Sequence, residues 1–147
     1  MTENVKAKLR EQLIKHEGLK LRLYRDPVGL LTIGVGRNLD AIGITRDEAL
    51  FMLDNDIDQV VLQCTDAFPW FAQGINSVRQ RAVADLCFNM GIGKLKEFKH
   101  TLGDLAEGDF DSAADNLVLS KWFRQVGVRG PRIVHMIRTG NDPDEGT

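Results

Sequence analysis

Glu17 and Asp26 bracket the stretch HEGLKLRLYRD, residues 16 to 26, and no other acid lies between them. Hydrolysis of a glycosidic bond needs two carboxyl groups of this kind. One must still be protonated near neutral pH, to give its proton to the leaving oxygen, and the other must be ionised, to activate water or attack the sugar. Unlike surroundings divide those roles. Glu17 falls in the last turn of an expected helix, where the macrodipole disfavours a carboxylate by roughly 0.3–1 kcal/mol, and apolar neighbours are expected to push the same way. Asp26 opens the turn Asp26-Pro27-Val28-Gly29 beside Arg25, where the ionised form is favoured. On these residues alone, two solvated surface charges and a catalytic pair both remain open readings.

The elements that must position them follow from periodicity. Val5, Leu9 and Leu13 recur at helical spacing over residues 4 to 16, with Asn4 as the expected N-cap and Gly18 as the stop. Leu19, Leu21 and Leu23 alternate with Lys20 and Arg22 up to the Asp26 turn, and Thr32, Gly34 and Gly36 alternate with Ile33 and Val35 after it. That pattern is a β-hairpin with one nearly bare strand face, room for a ligand to lie against backbone. After the linker NLDAIGI, Thr45 and Glu48 form a capping box for a long helix carrying Leu50, Leu53, Ile57, Val60 and Cys64. Ser77 and Gln80 read as a second capping box, for a helix ending at Gly91. Shorter helices are expected over Leu95–Glu107, Phe110–Leu119, Lys121–Val126 and Pro131–Arg138, with Asp109 and Ser120 as N-caps and Gly140 as a C-cap. Strand signals are confined to the first third, so the expected class is α+β. It comprises a small β-containing lobe (about 17–45), a linking helix (about 46–66) and a helical lobe (about 67–140) joined by the N-terminal helix. All of this forms one domain over 1–147.

With 147 residues and 43% hydrophobic content the chain is long enough for a substantial core. Cys64 and Cys87 match no metal or redox spacing and read as buried free thiols. The first twenty residues contain no continuous apolar run, so neither a signal peptide nor a membrane anchor is expected, and synthesis in the cytoplasm is. The tail NDPDEGT, residues 141 to 147, reads as flexible. A formal net charge of -2 conceals an uneven layout: six acids and one Arg lie between Ile44 and Asp66, whereas Asn116 to Asn141 contains five cations and no acid. The basic region either meets an anionic partner or pairs with the acidic helix. His16, His100 and His135 lack ligand spacing, so zinc chemistry is not expected.

The tract HEGLKLRLYRDPVGLLTIGVG resembles the signature of the phage-type lysozymes, glycoside hydrolase family 24. The matching residues are Glu17-Gly18-Leu19, Tyr24, Asp26, Gly29 and Thr32-Ile33-Gly34-Val35-Gly36. The likeness continues through FNMGIG at 88–93, AADNLVLSKWF at 113–123 and IRTG at 137–140. It implies a lysozyme-like two-lobed fold with a cleft, and a muramidase acting on bacterial peptidoglycan by inversion. Glu17 would be the general acid, Asp26 the general base and Thr32 the hydroxyl that helps place the water. Inversion implies carboxyl groups roughly 6.5–9.5 Å apart. The resemblance further implies sugar contacts at Asn38, Phe88, Thr101 and Asn116, and an Arg near the acid at Arg129, with no metal or cofactor. It implies a monomeric endolysin held in the host cytoplasm until lysis, its partner a glycan strand rather than nucleic acid or a stable membrane site. Lys121, Arg124 and Arg132 are the expected outward-facing contributors to wall attraction. Three departures stand out: a short segment from Arg37 to Ile44, Pro27 directly after Asp26, and Asn at positions 38 and 89. The rival readings are a non-catalytic peptidoglycan-binding protein on the same fold and, more remotely, a nucleic-acid module.

Overall fold

The computed structural model describes residues 1–144, so the last three residues of the expected tail lie outside the described residues. Contacts divide the chain into two compact units, Met1–Phe51 and the residues from Met52 onward.

The first unit opens with α1 (Glu3–Glu17). Its cap is Thr2, whose hydroxyl accepts from the Val5 N–H at 3.3 Å. The expected cap, Asn4, is already helical, whereas Thr2 has the extended backbone a cap requires (φ -72°, ψ 159°). Gly18 ends the helix as anticipated, at φ 80° with its N–H donating to Ile14 O. The hairpin follows as β1 (Lys20–Arg25) and β2 (Leu31–Gly34), antiparallel, with Tyr24 opposite Thr32 and Arg25 opposite Leu31. A third strand, β3 (Arg37–Asn38), pairs with β2 and sets Asn38 opposite Thr32. From sequence a linker is expected from Asn38 onward, because a two-residue strand is too short to show alternation. The outward leucines of β1 are open to solvent, Leu21 most of all at 84%.

α2 (Arg46–Ala67) begins with the expected capping box: the Thr45 hydroxyl accepts from the Glu48 N–H at 3.1 Å, and Glu48 accepts from the Thr45 N–H at 2.8 Å. Glu48 also receives both ends of the Arg37 guanidinium, at 3.0 and 2.7 Å, so one carboxylate starts the helix and holds β3 to it. The Arg37 hydrogen bond, then the Thr45 N–H, bring the Glu48 carboxyl down from 4.5 to about 2. A carboxyl depressed on folding adds stability that is fully present above its unfolded value and disappears as pH falls through its folded one. The parent protein should therefore lose melting temperature between about pH 4.5 and about pH 2. Glu48→Gln should lose less across that window, as thermal melts followed by circular dichroism would show; equal losses would mean this carboxylate contributes nothing to acid sensitivity.

The second unit contains the rest of α2 and α3 (Ser77–Met90), α4 (Ile92–Leu95), α5 (Lys99–Glu107), α6 (Phe110–Val118), α7 (Lys121–Gln125) and α8 (Arg129–Thr139). Among the described residues every buried hydrophobic side chain lies between Cys64 and Ile137, with Leu86, Leu95, Leu105, Leu117 and Ile137 nearly sealed from solvent. The α3 cap is Asn76, whose Oδ1 accepts from the Arg79 N–H at 2.9 Å, and not the expected Ser77. Gln80 instead donates to the carbonyls of Phe71 and Ala72, fastening the preceding loop. The helix expected from Leu95 starts at Lys99, because a turn closed by Phe98 N–H donating to Leu95 O intervenes. Asp109, Ser120 and Gly140 cap as expected.

Two ties hold this unit closed. Arg79 lies over the Phe110 ring at 3.5 Å and donates to Ile137 O and Arg138 O at 2.7 and 3.1 Å, while Asn76 Nδ2 donates to Gly140 O at 3.0 Å. These residues at the start of α3 thus satisfy carbonyls that the end of α8 leaves without helical partners. Cys64 on α2 and Cys87 on α3 are free, buried thiols in contact with each other; burial first, and then Cys87, pushes Cys64 up to about 12. No helix among the described residues is long and apolar enough to cross a membrane.

Candidate active site

The first unit contains four of the expected residues, Glu17, Asp26, Thr32 and Asn38. Glu17 ends α1 with its carboxyl against Gly36, which lies just after β2: a methyl added at Gly36 would meet Glu17 Oε2 at 2.9 Å. Asp26 sits where β1 turns into β2. Its Oδ1 accepts from the N–H groups of Val28 and Leu30, at 3.0 and 2.8 Å, and its own N–H donates to Leu30 O. One carboxylate oxygen therefore builds the turn, while Oδ2 accepts from no group among the described residues. Thr32, 3% exposed, donates its hydroxyl to Leu30 O at 2.9 Å, the carbonyl that also receives the Asp26 N–H. With its proton committed, that hydroxyl meets a water only as an acceptor. Asn38 uses Oδ1 to hold the Ala41 N–H at 3.0 Å, so at this position the side chain also builds a turn.

Glu17 is exposed. The apolar enclosure expected around it is not provided by its own unit, whose side of the carboxyl is glycine backbone and solvent.

In the second unit the remaining candidates form two groups. Phe88, 48% exposed, and Arg129 line one cavity of about 390 Å³ with Leu53, Ile57, Ala84 and Asp85. Arg129 Nε approaches Asp85 Oδ1 to 3.3 Å. That oxygen is buried and receives no aligned hydrogen bond, so the contact is a Coulombic pairing with poor donor geometry. Thr101 and Asn116 line a different cavity of about 350 Å³ beside α5 and α6. The basic region is less open than its sequence suggests. Arg138 is paired with Asp111 and Asp115 on α6, at 3.4 and 2.8 Å, and Arg132 is half-buried, whereas Lys121 and Arg124 are exposed as expected. The acids that meet Arg129 and Arg138 belong to α3 and α6, not to the acidic α2.

The phage lysozyme family profile matches residues 14–135. The chain belongs to the phage lysozyme family. It is a lysozyme-type glycoside hydrolase with the α+β architecture described above. Two probable T4-type lysozymes of Dictyostelium discoideum are 24% and 25% identical over 91% of the chain, each covered to 95% of its own length. The pre-baseplate central spike protein Gp5 of Enterobacteria phage T4 is 27% identical over 95% of the chain, which spans 29% of that longer protein.

For a lysozyme of this geometry, Gly36 is a sensitive position. Gly36→Ala would force a side chain at φ 66° into the Glu17 carboxyl. Misplacing a reacting group by about 1 Å costs on the order of a hundredfold in rate. Wall clearing should fall by about that factor with an unchanged far-ultraviolet circular dichroism spectrum; undiminished clearing would show that the Glu17–Gly36 contact does not matter.

Three polar residues escaped the sequence reading. Asp40 Oδ2 accepts from the Leu31 N–H at 2.9 Å and so steadies β2 next to Thr32. Asp85 meets Arg129, and Asp104 receives the Asn116 amide at 2.8 Å. Asp40 serves Leu31 from across a loop, Asp85 lies far in sequence from Arg129, and Asp104 sits on a separate helix from Asn116, so spacing carries no signal for any of them. Asn89, noted only as a departure from the family pattern, accepts from the buried Trp122 indole N–H at 2.7 Å.

Proposed function

We propose that this lysozyme cleaves the β-1,4 bond between N-acetylmuramic acid and N-acetylglucosamine of peptidoglycan, with inversion of the anomeric carbon. Glu17 protonates the leaving oxygen, and the free Oδ2 of Asp26 draws a proton from the attacking water. Thr32 accepts a hydrogen bond from that water. The observation that carries the reading is the division of labour within Asp26, one oxygen bound to two backbone N–H groups and the other unengaged. The two bonds fix the carboxylate's direction and leave its second oxygen to meet water. Asn38, Phe88, Thr101 and Asn116 contact sugars, and Lys121 and Arg124 attract the anionic wall.

The protein acts as an endolysin, made in the host cytoplasm and released to the wall at lysis. It binds no nucleic acid, makes no stable membrane association and works as a monomer. Turbidity of purified cell walls tests the activity. Clearing with a new reducing end at muramic acid, first seen by NMR as the α-anomer, is the expected result. A β-anomer as first product would give Asp26 a different role, and walls that bind the protein without clearing would leave only a binding function on this fold.

A further inference from the structure

The hairpin of α5 and α6 contains a side-chain network that the two catalytic acids do not use. Asp104, on α5, accepts at one oxygen from both the Ser112 hydroxyl, at 2.9 Å, and the Asn116 amide nitrogen, at 2.8 Å. Both donors stand on α6, four residues apart and hence on one face. An ionised carboxylate only accepts hydrogen bonds, so the end of the amide that faces it has to be the NH₂. The Asn116 carbonyl oxygen is thereby turned away from Asp104, and no group among the described residues donates to it. Asn116 lines the 350 Å³ cavity together with Thr101, Lys99 and His100.

A free asparagine amide presents either a donor or an acceptor, according to how it is rotated. A hydrogen bond to a charged carboxylate is strong enough to hold one of those two states. We propose that Asp104 is a positioning residue, fixing Asn116 so that the cavity offers an acceptor to an N–H or O–H donor of the glycan. This rests on the lysozyme reading for its substrate class. Ser112 supports the arrangement by binding the same Asp104 oxygen, which keeps the carboxylate aimed across the hairpin.

A double-mutant cycle on soluble, uncrosslinked glycan strands separates this role from mere helix packing. Asp104→Ala should raise KM by about tenfold with a smaller change in kcat, because one oriented hydrogen bond to substrate is lost. Asp104→Asn keeps an acceptor oxygen for the Asn116 NH₂ and should recover most of the loss. In an Asn116→Leu background, Asp104→Ala should add nothing further to KM, since the residue through which it acts is gone. Additive effects in the two backgrounds, or an unchanged KM in Asp104→Ala, would overturn the proposal. An inactive parent protein would remove the lysozyme reading and this inference together, whereas an active parent with additive variants removes the inference alone.

Discussion

Glu17→Gln lowers wall clearing by about three orders of magnitude, the range expected when a general acid loses its proton, and leaves the melting temperature within about 2 °C of the parent. Glutamine keeps the size and polarity of the side chain but has no proton to give to a leaving oxygen. Folding should scarcely notice the change, because Glu17 is exposed and makes no hydrogen bond or ion pair among the described residues. Its carboxyl lies against Gly36, and an amide of equal bulk fits there as well as a carboxyl does. The measurement is an initial clearing rate alongside a thermal melt. Clearing at the parental rate would remove Glu17 from the chemistry, and a collapse of the melt would mean that its role is to hold α1 against the sheet.

Asp26 gives the second large effect, and here two substitutions must be compared. Asparagine retains an oxygen at Oδ1 able to accept from Val28 and Leu30, so Asp26→Asn keeps the turn and discards the charge. Clearing should drop by about a thousandfold with little loss of stability. Alanine discards both: Asp26→Ala should be as inactive and in addition less stable by about 1 kcal/mol in denaturant unfolding, since two N–H groups must turn to water. The pair of variants thus separates the two oxygens of one side chain. If Asp26→Asn cleared walls normally, the ionised oxygen would not be the base. If Asp26→Ala matched Asp26→Asn in stability, the turn would be held by Pro27 and the backbone bond from Gly29 N–H to Asp26 O instead.

Local signals in the sequence were reliable where the physics is local. The Thr45–Glu48 box, the Gly18 and Gly140 stops and the Asp26 turn each depend on residues within four positions, and each appears in the structure. The caps at Asn4 and Ser77 missed for a related reason: capable residues stand within two positions of one another, and only which of them keeps an extended backbone decides among them. What the sequence could not reveal was pairing across elements. Arg37 gives no sign that it will find Glu48, nor Arg129 that it will find Asp85, because ion pairs between separate elements follow from packing that no single window contains. The candidate acids themselves were readable only through the family pattern. Their spacing is unremarkable until the hairpin and the end of α1 lay Gly36 beside one and the turn beside the other.

The ties from Asn76 and Arg79 to the last turn of α8 bear on the order in which a growing chain acquires its shape. The strands of the first unit pair with near neighbours, such as Tyr24 with Thr32, and that unit is fully synthesised by Phe51. The helical unit has to wait for Gly140, whose carbonyl receives Asn76. At about 5–20 residues per second this separates the two events by roughly 5 to 20 seconds. During that interval the ribosome would carry α1 and the hairpin, with one acid on each, alongside a helical remainder still missing its final strut, so the helical half should be cut by protease in nascent chains arrested before Gly140 and resist it in chains arrested after.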